Sequence, residues 1–471
     1  MATSWGGAAV DLAGHVRVLI GFGSPLVTVL WGLSVLVIVW WVGRQLLHRR
    51  LVTFLSNAII FGFFLPIVLQ YPFALSPING LTVGAENYIH YRPEVDSAFL
   101  ITLTGMLALL IGYFLGRRSR PDFLPVTLVW TSIRAWTQSV FLQLASIFIL
   151  VLFALLFALG MLGAAGARNI AQTLPGLRPI YNVVHVLLPI TIAIGLFVGT
   201  QRHRRFIMAL AVLNVALATL TGARAVAFGG LLLVALTLLI HTSLLQRLSI
   251  SRALLLIPAA VGFLILAVYL GDVREGQYNL LRTVATLGFK FFYGNNFSDL
   301  RDFAWVKSYW DGAYFLGKTQ LAGVLAFIPS VISSFRTEWN WGVVTTRLAG
   351  LDPTITPGLR AGVFGEMFFN FGLPGVLLAG FLNGYFLRRV HNACLAAART
   401  LPAYEARLKV LAGLVAANLF GGLLNTAGFF GVYVTIAALG SVQMLDYLVR
   451  ATSRSSTVVA ALSYGSDGSP S

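Results

Sequence analysis

Long apolar runs alternate with short basic clusters along the chain. About eleven of these runs approach 20 residues, the length of an α-helix that crosses the hydrocarbon core of a bilayer. They cover residues 25–43, 51–73, 97–115, 141–162, 181–198, 207–220, 225–241, 253–270, 361–386, 410–424 and 427–448. The pattern predicts an all-α, polytopic membrane protein with about eleven transmembrane helices.

Composition agrees with a membrane protein. The chain is 58% hydrophobic and only 10% charged, whereas a soluble domain carries roughly 25% charged residues. The single cysteine, Cys394, excludes an internal disulfide framework. The amino terminus lacks the basic flank, apolar run and cleavage site of a secretory signal, so we expect the first spans to direct membrane insertion.

Basic residues predict the orientation of the spans. Every second connection is rich in arginine, starting with the one that follows the first span, and such loops are typical of the cytoplasmic side. The amino terminus is therefore predicted outside and the carboxyl terminus in the cytoplasm. Nearly all of the net charge of +17 falls on the predicted cytoplasmic side, where it meets the head groups of membrane lipids. Because orientation accounts for this charge, we expect no nucleic-acid partner.

Four regions follow from this topology. Residues 1–270 hold the first eight predicted spans, 271–360 form a large outside loop between spans eight and nine, and 361–448 hold the last three spans. Residues 449–471 form a Ser-rich cytoplasmic tail that is predicted to be disordered. Long loops in compact proteins are usually functional or disordered. The aromatic content of the outside loop argues against disorder, so we expect this loop to be functional.

The ninth predicted span is unusually rich in glycine. We expect Gly372, Gly375, Gly380 and Gly384 to form a helix-packing face, because small residues allow two helices to approach closely. Such packing would also hold a charged side chain at the head of the span in a fixed position.

Cations on the predicted outside face suit an anionic lipid substrate. Arg168, Arg178, Arg224 and Arg360 stand near the membrane boundary, where charges are costly and usually belong to a site. Guanidinium groups bind phosphate oxygens bidentately, so these four are candidate diphosphate ligands. Aromatic rings beside carboxylates and cations in the outside loop suit carbohydrate. The combination indicates glycosyl transfer from a lipid diphosphate.

Such a transfer also needs a group that deprotonates the acceptor hydroxyl. The catalytic candidates are Glu366 and Asp299, and Glu366 alternatively orients an arginine. Arg301, Asp302 and Lys318 are candidate glycan contacts. The seven histidines are scattered, and no His or carboxylate spacing suggests a metal site, so we expect neither a metal nor another cofactor.

Three segments resemble the Wzy-type oligosaccharide repeat-unit polymerases. They read YFLGKTQLAG at 314–323, AFIPS at 326–330 and GVFGEMFFNFGLPGVLLAGFLNGYF from 362. The family shares, in this order, a Tyr–Gly–Lys–Thr segment, a Phe–Ile–Pro segment and a Gly–Glu–x–x–x–Asn–Phe–Gly–x–x–Gly segment that enters a late helix. The turn TGAR at 221–224 resembles the family's Gly–Ser–Arg turn, with Ala223 in place of Ser. Many members carry Arg and a Trp–Pro–Lys-like stretch after Phe–Ile–Pro. Here the sequence reads SVISSFRTEWNWG, without an Arg directly after Pro and without the Lys, and Arg336 is the candidate substitute.

The resemblance implies a GT-C-like membrane glycosyltransferase. Such an enzyme polymerises undecaprenyl-diphosphate-linked oligosaccharide units into O-antigen or exopolysaccharide at the outer face of the bacterial cytoplasmic (inner) membrane. It implies neither a nucleotide sugar nor a metal, and it suggests a chain-length-regulating protein as a partner. An O-antigen-ligase-like glycan transferase and a lipid-linked oligosaccharide transporter are the alternatives. The nearly charge-free spans and the lack of a visible repeat argue against a transporter.

Overall fold

In a computed structural model, residues 21–47, 64–118, 120–138, 178–197, 224–245, 279–293, 298–328, 332–353 and 358–464 are described, with isolated positions between 147 and 272. The regular secondary structure of these residues is helical. The helices before the predicted outside loop are α1 (Pro25–Leu47), α2 (Leu65–Ala74), α3 (Asn79–Val83), α4 (Ala85–Tyr91), α5 (Val95–Leu115), α6 (Leu124–Gln138), α7 (Arg178–Phe197) and α8 (Arg224–Leu245).

The remaining helices lie in and after that loop. They are α9 (Leu280–Phe292), α10 (Asp299–Ser308), α11 (Lys318–Val324), α12 (Ser334–Glu338), α13 (Trp341–Leu348), α14 (Gly362–Thr400), α15 (Ala403–Leu424) and α16 (Phe429–Tyr464). Short 3-10 turns follow α11 at Leu325–Phe327 and precede α16 at Thr426–Gly428. The predicted outside loop is therefore largely helical where the structure describes it.

Five helical stretches of the described residues are long and apolar enough to cross a membrane: Pro25–Arg44, Ala85–Arg118, Gly362–Thr400, Ala403–Leu424 and Phe429–Leu448. Each overlaps a predicted span, so the structure is that of a helical membrane protein. Shorter apolar helices fall on three more predicted spans, at Leu65–Ala74, Val186–Gly195 and Leu232–His241. The spans predicted at 141–162, 207–220 and 253–270 lie mostly outside the described residues.

The last helix extends beyond its predicted end. The sequence predicts a span that ends at 448 and a disordered tail, but α16 continues to Tyr464. The final stretch, TVVAALSY, is apolar and contains no glycine or proline, so nothing in it interrupts the helix before Gly465.

The chain divides into two compact units. The first comprises Met1–Pro121, Leu238–Thr400 and Ala417–Phe430. Its core lies where α5 packs along α14 and where α10 packs on α4 and α5. The fully buried rings Tyr71, Phe99, Phe303 and Phe369 belong to this core. The core thus joins membrane-spanning helices to helices of the predicted outside loop.

Glycines set the contact between α5 and α14. A Cβ atom at Gly384 would lie 1.8 Å from the carbonyl oxygen of Leu109, and one at Gly380 would lie 2.2 Å from that of Gly105. Real Cβ atoms do not approach so closely, so only glycine fits at either position. The predicted packing role of Gly380 and Gly384 is confirmed.

Gly384→Val is expected to destabilise the protein by about 3 kcal/mol or more, because its side chain would meet backbone atoms that cannot repack. The matched control is Gly440→Ala in α16, where an added Cβ meets nothing within 4 Å. The measurement is the unfolding temperature of each purified variant in detergent. Equal unfolding temperatures for Gly384→Val and the wild type would contradict this packing.

The second unit comprises Asp122–Thr237, Leu401–Ala416 and Gly431–Ser471. Arg134 of α6 forms an ion pair with Glu405 of α15, with 3.1 Å between Nε and Oε1. Gln443 of α16 donates from Nε2 to the carbonyl oxygen of Leu128 at 3.0 Å. These contacts hold the α6 helix against the start of α15 and the middle of α16.

Candidate functional site

A break in α14 joins two of the sequence segments that resemble the polymerase family. Gly372 has φ 64° and ψ −156°, which are not helical values, and Pro374 has no N–H to donate to the carbonyl oxygen of Asn370. The backbone N–H groups of Phe315 and Leu316 donate instead to the carbonyl oxygens of Phe369, at 2.9 Å, and Asn370, at 3.1 Å. The break thereby creates acceptors for the YFLGKT segment.

Gly372 therefore differs from the packing glycines further along α14. Its positive φ is strained for any residue with a Cβ atom. A Cβ at this position would also lie 3.1 Å from the hydroxyl oxygen of Tyr314. The predicted helix-packing role of Gly372 is replaced by two others, a backbone kink and a close approach of the YFLGKT segment.

Glu366 is the centre of a buried polar network. Its Oε1 accepts hydrogen bonds from Thr319 Oγ1 at 3.0 Å and from Thr426 Oγ1 at 2.6 Å. Its Oε2 accepts from the backbone N–H of Thr426 at 3.2 Å. The side chain is fully buried. These donors are neutral, so hydrogen bonds rather than an ion pair satisfy this carboxyl group in the described part of the chain.

Asn370 completes the network one turn along α14. Its Nδ2 donates to Thr319 Oγ1 and to the carbonyl oxygen of Glu366, each at 2.8 Å. Thr319 Oγ1 therefore accepts from Asn370 and can donate to Glu366 Oε1, at 3.0 Å, or to Gln320 Oε1, at 3.3 Å. The bonds from Thr319 to Glu366 and Asn370 tie the amino terminus of α11 to α14.

A second polar cluster lies where α10 meets the start of α14. Arg301 donates from Nε and Nη2 to Oδ1 of Asp302, at 3.1 and 3.0 Å. Oδ2 of Asp302 accepts from Ser298 Oγ at 2.8 Å and from the backbone N–H of Arg360 at 3.2 Å. The pair is buried, and a buried charge needs a partner. Here the two opposite charges and the donors of Ser298 and Arg360 meet this need. Both side chains, predicted as glycan contacts, face the protein interior and position Arg360.

Asp299 and Arg360 reach the surface beside this buried pair. Both residues are exposed to solvent. The protein packed around Asp299 and the neighbouring Asp302 carboxylate raise the pKa of Asp299 to about 6, and the Arg360 charge opposes this shift. Asp299, the first residue of α10, and Arg360, two positions before α14, thus present an accessible carboxylate and an accessible guanidinium together.

A group of aromatic rings lies between the end of α10 and the start of α11. Trp310 lies with its ring centre 5.2 Å from that of Tyr314 and 5.4 Å from that of Phe368. Lys318 is exposed and places its Nζ 4.4 Å from the ring centre of Trp339. A cation over an indole face is a favourable arrangement. This surface therefore offers rings and a cation, which are groups that sugars bind.

The side chains of three predicted diphosphate ligands lie outside the part of the chain that the structure describes. Arg168 lies outside the described residues. Arg178 and Arg224 are the first residues of α7 and α8, in the second unit, and their side chains also lie outside the described part. Their roles stay predictions.

Sequence reasoning overlooked Thr319, Asn370 and Thr426 as site residues. Thr319 and Asn370 stand inside the segments that carry the family resemblance, so that signal was available. Thr426 lies in the short 3-10 turn between α15 and α16, and no sequence pattern connects it with Glu366. The contact between Thr426 and Glu366 is seen only in the tertiary structure.

No three His, Cys, Asp or Glu side chains of the described residues form a group that would hold a metal ion.

Comparison with protein-family models, with curated proteins and with solved structures finds no match to this chain.

Proposed function

We propose that this chain is a membrane glycosyltransferase that polymerises undecaprenyl-diphosphate-linked oligosaccharide units into a surface polysaccharide. One observation carries the proposal: YFLGKT and GEMFFNFG, two of the segments that resemble the polymerase family, meet around Glu366 through Thr319 and Asn370. This network supports the proposal because it joins one residue from each segment to the same carboxyl group or its backbone. The apolar helices support a membrane location, which we propose to be the bacterial inner membrane, with the site on its outer face.

In the proposed reaction, the donor glycan leaves its lipid diphosphate. The acceptor hydroxyl attacks the anomeric carbon of the donor sugar, the new C–O bond forms, and the bond to the diphosphate oxygen breaks. Asp299 takes the proton of the acceptor hydroxyl, and Arg360 stabilises the charge that develops on the leaving diphosphate. The proximity of these exposed groups supports the assignment. Arg168, Arg178 and Arg224 are proposed as further diphosphate ligands.

We assign Glu366 a positioning role rather than that of the base. A general base must come within hydrogen-bond reach of the acceptor hydroxyl. Glu366 is fully buried, and its oxygens are occupied by Thr319 and Thr426. Asp299 is exposed and therefore accessible to an acceptor. Glu366 fixes α11, which carries Lys318, against the start of α14.

The glycan would lie on the aromatic surface. Trp310, Tyr314 and Trp339 supply ring faces for the apolar sides of sugars. Lys318 supplies a donor to hydroxyl oxygens. The buried Arg301–Asp302 pair supports the site from within by holding the backbone of Arg360.

The pH dependence of polymerisation follows from the pKa of Asp299. The base acts only when it is deprotonated, so the rate is expected to rise with pH, reach half of its plateau near pH 6 and fall to about a tenth of the plateau at pH 5. Asp299→Asn is expected to reduce the plateau by about 100-fold or more. The measurement is the rate of polymer formation in detergent against pH. An unchanged profile in Asp299→Asn would remove Asp299 as the base.

Product length distinguishes the proposed polymerase from its alternatives. Cells that lack this chain are complemented with the wild type or with Asp299→Asn, and lipid-linked glycan is separated on a gel. A ladder with the wild type and single repeat units with the variant are expected. If the chain were a ligase, the deletion strain would still make the lipid-linked ladder. It would fail to transfer that glycan to the final acceptor.

A further inference from the structure

We propose that residues 314–327 form a membrane-interface segment whose exposed apolar face contacts lipid acyl chains beside the amino-terminal half of α14. The segment includes the YFLGKT loop, α11 and the 3-10 turn Leu325–Phe327. This inference rests on the membrane-spanning character of α14 and not on the proposed reaction.

The first argument is the level at which the segment meets α14. Arg388 and Arg389 mark one boundary of this span. About 20 helical residues cross the hydrocarbon core, so the other boundary lies near Phe368. The segment bonds to α14 between Glu366 and Asn370, through Thr319, Phe315 and Leu316. It therefore lies beside the boundary rather than in the water above it.

The second argument is that α11, after its exposed first residue Lys318, buries a polar side chain and exposes apolar ones. Its buried face holds Thr319, Ala322 and Gly323, and Thr319 faces the carboxyl group of Glu366. The exposed face holds Leu321 and Val324. A helix with polar groups inside and apolar groups outside matches an apolar solvent.

Leu316 and Phe327 extend this apolar face at both ends of α11. Leu316 is 77% exposed and has φ 51°, in the left-handed region that non-glycine residues seldom occupy. Its N–H bonds to the carbonyl oxygen of Asn370. The backbone thus holds an apolar side chain outward in a strained conformation. Phe327 is 64% exposed.

Four backbone N–H groups of the segment have partners within the protein, which suits a position beside the membrane. The N–H groups of Phe315 and Leu316 bond to α14, that of Lys318 bonds to the Phe315 carbonyl oxygen, and that of Leu321 bonds to the Gly317 carbonyl oxygen. Lys318 reaches Trp339 with its ammonium group, an arrangement that suits the head-group level.

The exposed apolar face of the segment is continuous with the exposed apolar face of α14. We therefore expect the same partner to cover both faces. The ring of Phe371 packs against Gly317, where an added Cβ would lie 3.1 Å from its Cζ. Beyond Phe371, α14 exposes Leu373, Leu377 and Leu378. These leucines belong to a candidate membrane span, so their partner is lipid. The same acyl chains would cover Leu316 and Leu321.

Spin-label accessibility tests this placement. Single cysteines replace Leu316, Leu321 or Phe327 in a Cys394→Ala background, because Cys394 is the only native cysteine. Leu378→Cys serves as the lipid-facing standard and Ala313→Cys, in an exposed loop, as the aqueous standard. The labelled full-length protein is placed in vesicles of plain phosphatidylglycerol and phosphatidylethanolamine. Relaxation by oxygen, which partitions into lipid, is compared with relaxation by a polar nickel chelate.

The proposal expects the oxygen-to-nickel ratio at all three positions to approach the Leu378 standard and to exceed the Ala313 standard several-fold. Ratios equal to the Ala313 standard would overturn it. Labels that neither reagent reaches would also overturn it, because another protein surface would then cover the segment. The assay contains no glycan substrate, so its outcome is independent of the proposed enzymatic activity.

Discussion

Arg360→Ala is expected to lower the rate of glycan polymerisation by about 100-fold or more at an unchanged amount of folded protein. The guanidinium group is exposed beside Asp299, where the leaving diphosphate is proposed to bind. The buried Asp302 binds the backbone N–H of residue 360, and this bond survives the substitution. The variant therefore removes a surface charge and keeps the backbone hydrogen bond from residue 360 to Asp302.

The pH profile separates this role from a structural one. Arg360 holds the pKa of Asp299 below the value that the protein packed around it and the Asp302 carboxylate alone would give. The residual activity of Arg360→Ala should therefore reach half of its plateau at a higher pH than the wild type. Arg347→Ala, which removes an exposed arginine from α13, is the matched control and should keep the wild-type rate and midpoint. Full activity of Arg360→Ala would remove this residue from the donor site.

Glu366→Ala is expected to lower the free energy of unfolding by about 3 kcal/mol or more. It would leave the hydroxyl group and the backbone N–H of Thr426 without their acceptor, and it would remove the nearer acceptor of the Thr319 hydroxyl. Each unsatisfied buried group costs about 1–3 kcal/mol, and the side-chain cavity adds to this cost. The measurement is chemical unfolding of the purified protein in mixed micelles.

Glu366→Gln distinguishes positioning from base catalysis. The amide oxygen accepts hydrogen bonds as the carboxyl oxygen does, so most of the lost stability should return. A positioning residue would also regain measurable polymerisation with an unchanged pH midpoint. A catalytic base would not, because an amide cannot take the acceptor proton. Stability restored without any activity would therefore transfer the role of base from Asp299 to Glu366.

Much of the membrane architecture follows from the sequence because apolar length and glycine spacing are local signals. The five long apolar helices fall on predicted spans, and Gly380 and Gly384 pack where small residues predict a close helix contact. The sequence shows a glycine at position 372, but it does not show the kink there. The kink arises only when Pro374 and the YFLGKT segment act together on one turn of α14.

The site was harder to predict because burial and partnership depend on the tertiary fold. Arg301 and Asp302 are adjacent charged residues in a predicted outside loop, and such pairs usually lie in solvent. Here α10 packs on the core, and this burial turns both side chains inward. Thr426 joins Glu366 from a turn 60 residues away, a contact that no local pattern encodes.

The measurement that tests the central claim most directly uses purified protein in phospholipid vesicles supplied with lipid-diphosphate-linked repeat units from its own organism. We expect a ladder of glycans that grows by one repeat unit per step, with one lipid diphosphate released for each bond formed and no added nucleotide sugar. Correctly folded protein that leaves every glycan at a single repeat unit and releases no lipid diphosphate would contradict the polymerase account.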